Sequence, residues 1–98
     1  MSMYTKYLIC YDVDNDRNRK KLFKFLKDLG LVPIQLSVFY GDLNQAEFNS
    51  LKNYVFMTLD KDSDKVIWIK CNLKSENINA CFGYSNFKYL EPDAYETI

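Results

Sequence analysis

Between Tyr4 and Cys71 the spacing of apolar side chains keeps switching between a strand period and a helix period, and the order of those switches admits few architectures. Residues 4 to 12 are apolar on both alternating sets, Tyr7, Ile9 and Tyr11 against Leu8 and Cys10, so they read as a strand covered on both faces. Asp14-Asn15-Asp16 supplies turn and N-cap chemistry. Leu22, Phe25, Leu26 and Leu29 then repeat at i, i+3, i+4 and i+7, and Gly30 is a suitable stop for that helix. Positions 32 to 40 are β-prone and are expected to end at Gly41-Asp42, with Pro33 suited to an edge or a strand start. They form either one bent strand or two short ones joined near Gln35 to Ser37, because no Asn-Gly or Gly-rich hairpin signal lies inside them. Asn44 and Glu47 make a variant capping box ahead of a second helix whose stripe is Phe48, Leu51, Val55 and Leu59. A charged connection, Asp60 to Lys65, leads into a strand at Val66 to Cys71.

The order β-α-β(β)-α-β is the split βαβ of an α+β, ferredoxin-like domain, β-α-β-β-α-β, with its helices on one sheet face. The other face is left bare and apolar, and a second subunit is expected to cover it. Residues 1–98 make a single domain, near the small end of what buries a self-sufficient core, so homodimerisation would help it. The core spans 4–71. The extension 72–98 carries short apolar pieces at Ala80 to Tyr84, Phe87 to Leu90 and Tyr95 to Ile98, which predict an additional C-terminal strand contacting the partner subunit.

Formal charge is zero, yet Arg17, Arg19, Lys20, Lys21, Lys24 and Lys27 follow one another with no acid between them. A neutral chain with one basic stripe fits a local polyanion site better than general adhesion to nucleic acid, because phosphate binding follows local cation density. Histidine is absent, which removes the commonest general base and every Ser-His or Cys-His nucleophile. Cys10, Cys71 and Cys81 lack CxxC spacing and read as reduced packing residues of a cytoplasmic protein. No secretory leader is expected ahead of the first strand, and the apolar runs fall far short of a bilayer span, so no membrane partner is expected.

Asp12 stands apart from the other acids. Asp12-Val13-Asp14-Asn15-Asp16 imitates the opening of a calcium loop, but Arg17 stands where that loop needs Gly and Phe23 where it needs Glu. Asp14 and Asp16 suit helix capping and the positive end of the helix dipole. Asp12 precedes the cap, at a strand end that can hold a side chain rigidly. One carboxylate is too little for a hard cation, whereas two copies related by a two-fold axis, with substrate phosphate and water, suffice for magnesium.

Tyr11-Asp12-Val13, the Arg17-Asn18-Arg19-Lys20-Lys21-Leu22 run, Gly30 and Gln35-Leu36-Ser37-Val38-Phe39-Tyr40-Gly41-Asp42-Leu43 together resemble the CRISPR-associated protein 2 family over residues 4 to 71. The resemblance implies a ferredoxin-like homodimer acting in spacer acquisition with the CRISPR-associated integrase. It also implies that Asp12 of each subunit meets its copy at the dimer seam to hold Mg²⁺ or Mn²⁺ for phosphodiester hydrolysis. Arg17, Arg19 and Lys20 are then expected to bind RNA or duplex DNA, and Tyr11, Ser37 and Phe39 to support the site at the seam. Tyr40 departs from the pattern, standing where many members carry Glu, and Pro33 stands where some carry a basic residue.

Two functions from different classes share these residues: a metal-dependent endonuclease working through Asp12, and a catalytically dispensable adaptor that bridges DNA for the integrase. A third, an RNA-binding module stacking bases on Phe82, Tyr84, Phe87 and Tyr89, lacks the basic and glycine pattern of an RNA-recognition motif.

Overall fold

A computed structural model describes residues 3–85 and 87. Among these residues seven elements follow one another: β1 (Thr5–Asp12), α1 (Asp16–Asp28), β2 (Val32–Gln35), β3 (Val38–Leu43), α2 (Gln45–Thr58), β4 (Lys65–Lys70) and α3 (Ser75–Asn79). The strands form one antiparallel sheet in the order β2-β3-β1-β4, the ferredoxin-like arrangement.

Local chemistry sets the element ends. Asn15 caps α1 by accepting from the Asn18 amide at 2.9 Å, and Asn44 and Glu47 close a full capping box on α2 with two 2.8 Å bonds. The last turn of α1 is a Schellman motif. Leu31 N–H donates to the Leu26 carbonyl, Gly30 N–H donates to Lys27, and Gly30 takes a φ of 92° that a side chain would resist.

Positions 32 to 43 resolve into two strands joined at Leu36-Ser37. Ile34 is the extra residue in the ladder, since Pro33 pairs with Phe39 and Gln35 with Val38. Among the described residues none other than glycine has a positive φ, so the bulge rather than a primed turn shapes this hairpin. The expected break at Gly41-Asp42 does not occur: β3 runs on to Leu43, with Gly41 opposite Tyr7 and Asp42 opposite Lys6. Gly41 is there for a close approach, because a Cβ at that position would lie 3.0 Å from the Leu31 side chain.

Alternation along the strands divides the side chains between two sheet faces. Tyr7, Ile9, Tyr11, Phe39 and Leu43 lie under α1 and α2 with Leu22, Leu26 and Leu51, and this is the main core. Aromatic contacts tie its layers: Tyr7 stacks on Phe48 at 4.6 Å, Phe25 on Tyr54 at 4.2 Å, and Phe23 meets Phe39 edge-on at 5.1 Å.

The second face is not bare throughout. The chain turns back after β4 and lays Leu73, Ile78, Tyr84 and Phe87 against Tyr40, Leu8, Val32 and Ile34. Tyr40 is 2% exposed; its hydroxyl accepts from Leu73 N–H at 2.7 Å and donates to the Leu73 carbonyl at 3.4 Å. Tyr84 Oη donates to the Ile34 carbonyl at 2.9 Å. The piece Ala80 to Tyr84, expected as part of a further strand, is a turn region after α3, and among the described residues no strand follows β4. The pieces at 88–90 and 95–98 lie outside the described residues. Among the described residues nothing covers the β1–β4 half of this face, with Ile67 53% and Ile69 51% exposed.

Candidate functional site

Asp12 ends β1 in register with Lys65, and the preceding pair on the same side of the sheet, two residues back, is Cys10 with Ile67. Paired residues on neighbouring antiparallel strands share a face, so Asp12, Lys65, Cys10 and Ile67 all stand on the open half of the second face. Asp12 is exposed, and its carboxylate has no hydrogen bond or ion pair among the described residues.

Of the neighbouring acids, Asp16 pairs with Arg19 Nη2, whereas Asp14 gives its amide to Asp64 Oδ1 at 3.0 Å and keeps an exposed carboxylate in the turn after β1. Asp64 also accepts from the Asp60 amide at 3.0 Å and from Ser63 Oγ at 3.4 Å. The Asp60 and Asp14 amides hold its carboxyl below the ordinary Asp value, against an opposing effect of burial. Among the described residues no three His, Cys, Asp or Glu side chains cluster closely enough to hold a metal ion. On the open sheet face β1 therefore ends in the uncommitted Asp12 carboxylate, which by itself is too little for a hard cation.

Tyr11, Ser37 and Phe39 do not gather around Asp12. Tyr11 and Phe39 point to the helix-covered face by strand alternation, and Phe39 is completely buried beside Phe23. Tyr11 and Ser37 instead line a hollow of about 280 Å³ with Arg19, Lys20, Phe23 and Leu36. Tyr11 Oη donates to the Leu36 carbonyl at 3.2 Å, and its amide donates to the Ser37 carbonyl at 3.0 Å. Burial raises the Tyr11 hydroxyl above its usual value, with the Arg19 charge opposing, so it stays protonated at neutral pH.

The basic stripe divides in the same way. Arg19 spends Nη1 on the Val13 carbonyl at 2.9 Å and the Asp14 carbonyl at 3.5 Å, so its guanidinium braces the turn after Asp12. Lys24 pairs with Asp28 at 2.9 Å. Arg17 and Lys20 are exposed, with no ion pair among the described residues, which suits them to phosphate. Lys65 and Asp64 escaped the sequence reading. A charged residue opening a strand reads as an ordinary solubilising position, and only the strand register puts Lys65 beside Asp12. All three cysteines are free thiols, and no helix of the described residues is long and apolar enough to cross a membrane.

The family model of the CRISPR-associated protein Cas2 matches residues 3–77. The chain is 33% identical over 95 residues to the CRISPR-associated endoribonuclease Cas2 1 of Francisella tularensis subsp. novicida, covering 97% of each chain. It is 36% identical over 72 residues to the protein of the same name in Methanospirillum hungatei, covering 71% of this chain and 76% of that one. A hypothetical protein of Thermus thermophilus superposes with a TM-score of 0.66 at 28% identity, over 71% of this chain and 84% of that one. The Streptococcus pyogenes Cas2 structure gives 0.67 at 22% identity, over 80% and 99%, a likeness of fold. With a family match across most of its length and a relative aligned nearly end to end, this chain belongs to the CRISPR-associated Cas2 family.

Proposed function

We propose that the protein is a metal-dependent endonuclease of the CRISPR system, acting as a homodimer on phosphodiester bonds of RNA or DNA. The observation that carries this reading is the uncommitted Asp12 carboxylate on the sheet half that, among the described residues, neither the helices nor the segment after β4 covers. A second copy seated on that half would bring its own Asp12 toward the first.

Two such carboxylates fit Mg²⁺ or Mn²⁺, hard cations that need only one or two protein carboxylates when water and substrate phosphate complete the shell. The ion, when bound, would polarise the phosphoryl group and lower the pKa of a water. In hydrolysis a water oxygen would bond to phosphorus as the bond to the leaving oxygen breaks, and the leaving oxygen would take up the proton that the water gives up. Arg17 and Lys20 would hold flanking phosphates. The relatives named endoribonucleases favour RNA as a substrate for this chain.

A second reading has its own support. Arg17 and Lys20 lie on α1, away from the open face, and DNA bridging beside the CRISPR-associated integrase during spacer acquisition would use these cations without needing the acid. Asp12→Asn separates the two. For the endonuclease, Mg²⁺-dependent cleavage falls at least about 100-fold with nucleic-acid affinity retained. Unchanged cleavage excludes the role of Asp12, and intact spacer integration by a cleavage-dead variant establishes the adaptor as the physiological function.

A further inference from the structure

Asp64 is the one buried charged residue among the described residues, 8% exposed, and both its carboxylate oxygens are spent on the backbone of two loops. One oxygen takes the Asp14 amide, two positions after Asp12 and 50 residues away in sequence; the other takes the Asp60 amide at the head of the loop preceding β4. Burying a carboxylate is costly unless its lone pairs are satisfied, and here they are satisfied by the two segments that flank Asp12.

The Asp12–Lys65 pair is the last rung of the β1–β4 ladder. Terminal rungs of a ladder open locally at low free-energy cost unless something beyond the strand holds them. Three contacts do so here. The Val13 side chain is 3% exposed in the core, the Val13 carbonyl accepts from Arg19, and the Asp14 amide donates to Asp64. Of these, only the Asp64 bond links the turn after β1 to the loop that delivers Lys65.

We propose that Asp64 is a positioning residue for Asp12, clamping the turn after β1 to the loop before β4 so that the Asp12 carboxylate is presented in one place. This inference rests on Asp12 being the metal-binding group proposed above. A carboxylate that must meet its copy and share a cation gains from being held in advance, and a displacement of about 1 Å at such a centre can cost about 100-fold in rate.

The test uses the full-length protein with Asp64→Ala, Asp64→Asn and, as reference, Asp12→Asn. Mn²⁺ affinity is measured by calorimetry, Mg²⁺-dependent cleavage of RNA and duplex DNA under saturating substrate, and Asp14 amide protection by hydrogen exchange. Asp64→Ala is expected to lose Asp14 protection, to weaken Mn²⁺ binding and to lower kcat by about 10- to 100-fold, with KM changed less than about twofold. Asp64→Asn should fall between it and the native protein, because one side-chain oxygen still accepts one amide. If Asp64→Ala does not fold, Asp64→Asn makes the same comparison. Native kcat and Mn²⁺ affinity in a folded Asp64 variant, alongside their loss in Asp12→Asn, would show a purely structural clamp and overturn the proposal. Native Mn²⁺ affinity and cleavage in Asp12→Asn would instead remove the metal-binding reading, and the positioning role with it.

Discussion

The two faces of the sheet are built from the same strands and finish differently. Under α1 and α2, Ile9, Leu22, Leu26, Phe39 and Leu51 are all completely buried, and the face is closed within one chain. On the other side Leu8, Val32, Ile34 and Tyr40 are roofed by the segment from Leu73 to Phe87, whereas Cys10, Ile67, Ile69 and Asp12 are left outside that roof. The difference shows what each face is available to do. A closed face can support only stability, while a half-closed one presents an apolar strip ending in a free carboxylate.

The sharpest way to break this comparison is to damage each face in turn. Phe39→Ala removes a fully buried ring that touches Phe23 and Tyr11, and should destabilise the fold by about 3–5 kcal/mol, read by urea denaturation. On the open half, Ile67→Asp should leave the melting temperature of the isolated chain nearly unchanged. It should weaken the proposed homodimer at least about 100-fold in sedimentation equilibrium, because it sets an unpaired carboxylate in an apolar seam. A dimer unaffected by Ile67→Asp would place the second copy elsewhere and separate Asp12 from its expected partner.

The roof on the closed half can be sharpened separately. Tyr40→Phe keeps the ring in its buried place but deletes both bonds to Leu73, with an expected loss of about 1–2 kcal/mol. Its clearer mark should be faster hydrogen exchange at the Leu73 amide than in the core strands, since the segment is fastened to the sheet there. Equal protection at Leu73 in the native protein and the variant would show that apolar contact and the Tyr84–Ile34 bond hold the segment down without Tyr40's hydroxyl.

The closed face was largely legible in the amino-acid order because its determinants are local. The i, i+3, i+4 stripe of Leu22, Phe25, Leu26 and Leu29 and the Asn44–Glu47 box each lie within a few residues and form as read, while of Asp14-Asn15-Asp16 it is Asn15, not the two acids given capping roles, that caps α1. The open face depended on contacts between distant residues. Ala80 to Tyr84 has the apolar character of a strand, and nothing local reveals that Tyr84 will instead reach back to the Ile34 carbonyl. Gly41 resembled a strand end until Leu31 came to lie against it. Asp12 was visible as a strand-end acid, but its separation from Tyr11 and Phe39 follows from strand alternation, which puts odd and even positions of β1 on opposite sides. Arg19 illustrates the same limit: a cation in a basic run looks like a phosphate ligand, and only the folded turn shows its guanidinium committed to Val13 and Asp14.

The smallest expected effect lies at the end of the β1–β4 ladder, where Asp64 joins the turn after β1 to the loop before β4. Its carboxyl is held below the ordinary Asp value by the Asp60 and Asp14 amides, so the folded state binds a proton there less readily than the unfolded chain does. Stability from this group is therefore fully present above the unfolded-state pKa and is lost as pH falls through the lower folded-state value. Asp64→Asn, which cannot ionise and keeps only one acceptor oxygen, should melt a few degrees below the native protein at pH 7. The gap should persist to about pH 5 and close progressively below about pH 4, as the native carboxylate takes up its proton and loses the same amide bond. Melting curves of the two proteins across that range check it. A gap of constant size down to pH 2 would mean that the charge on Asp64 contributes nothing and that its shape alone holds the loops together.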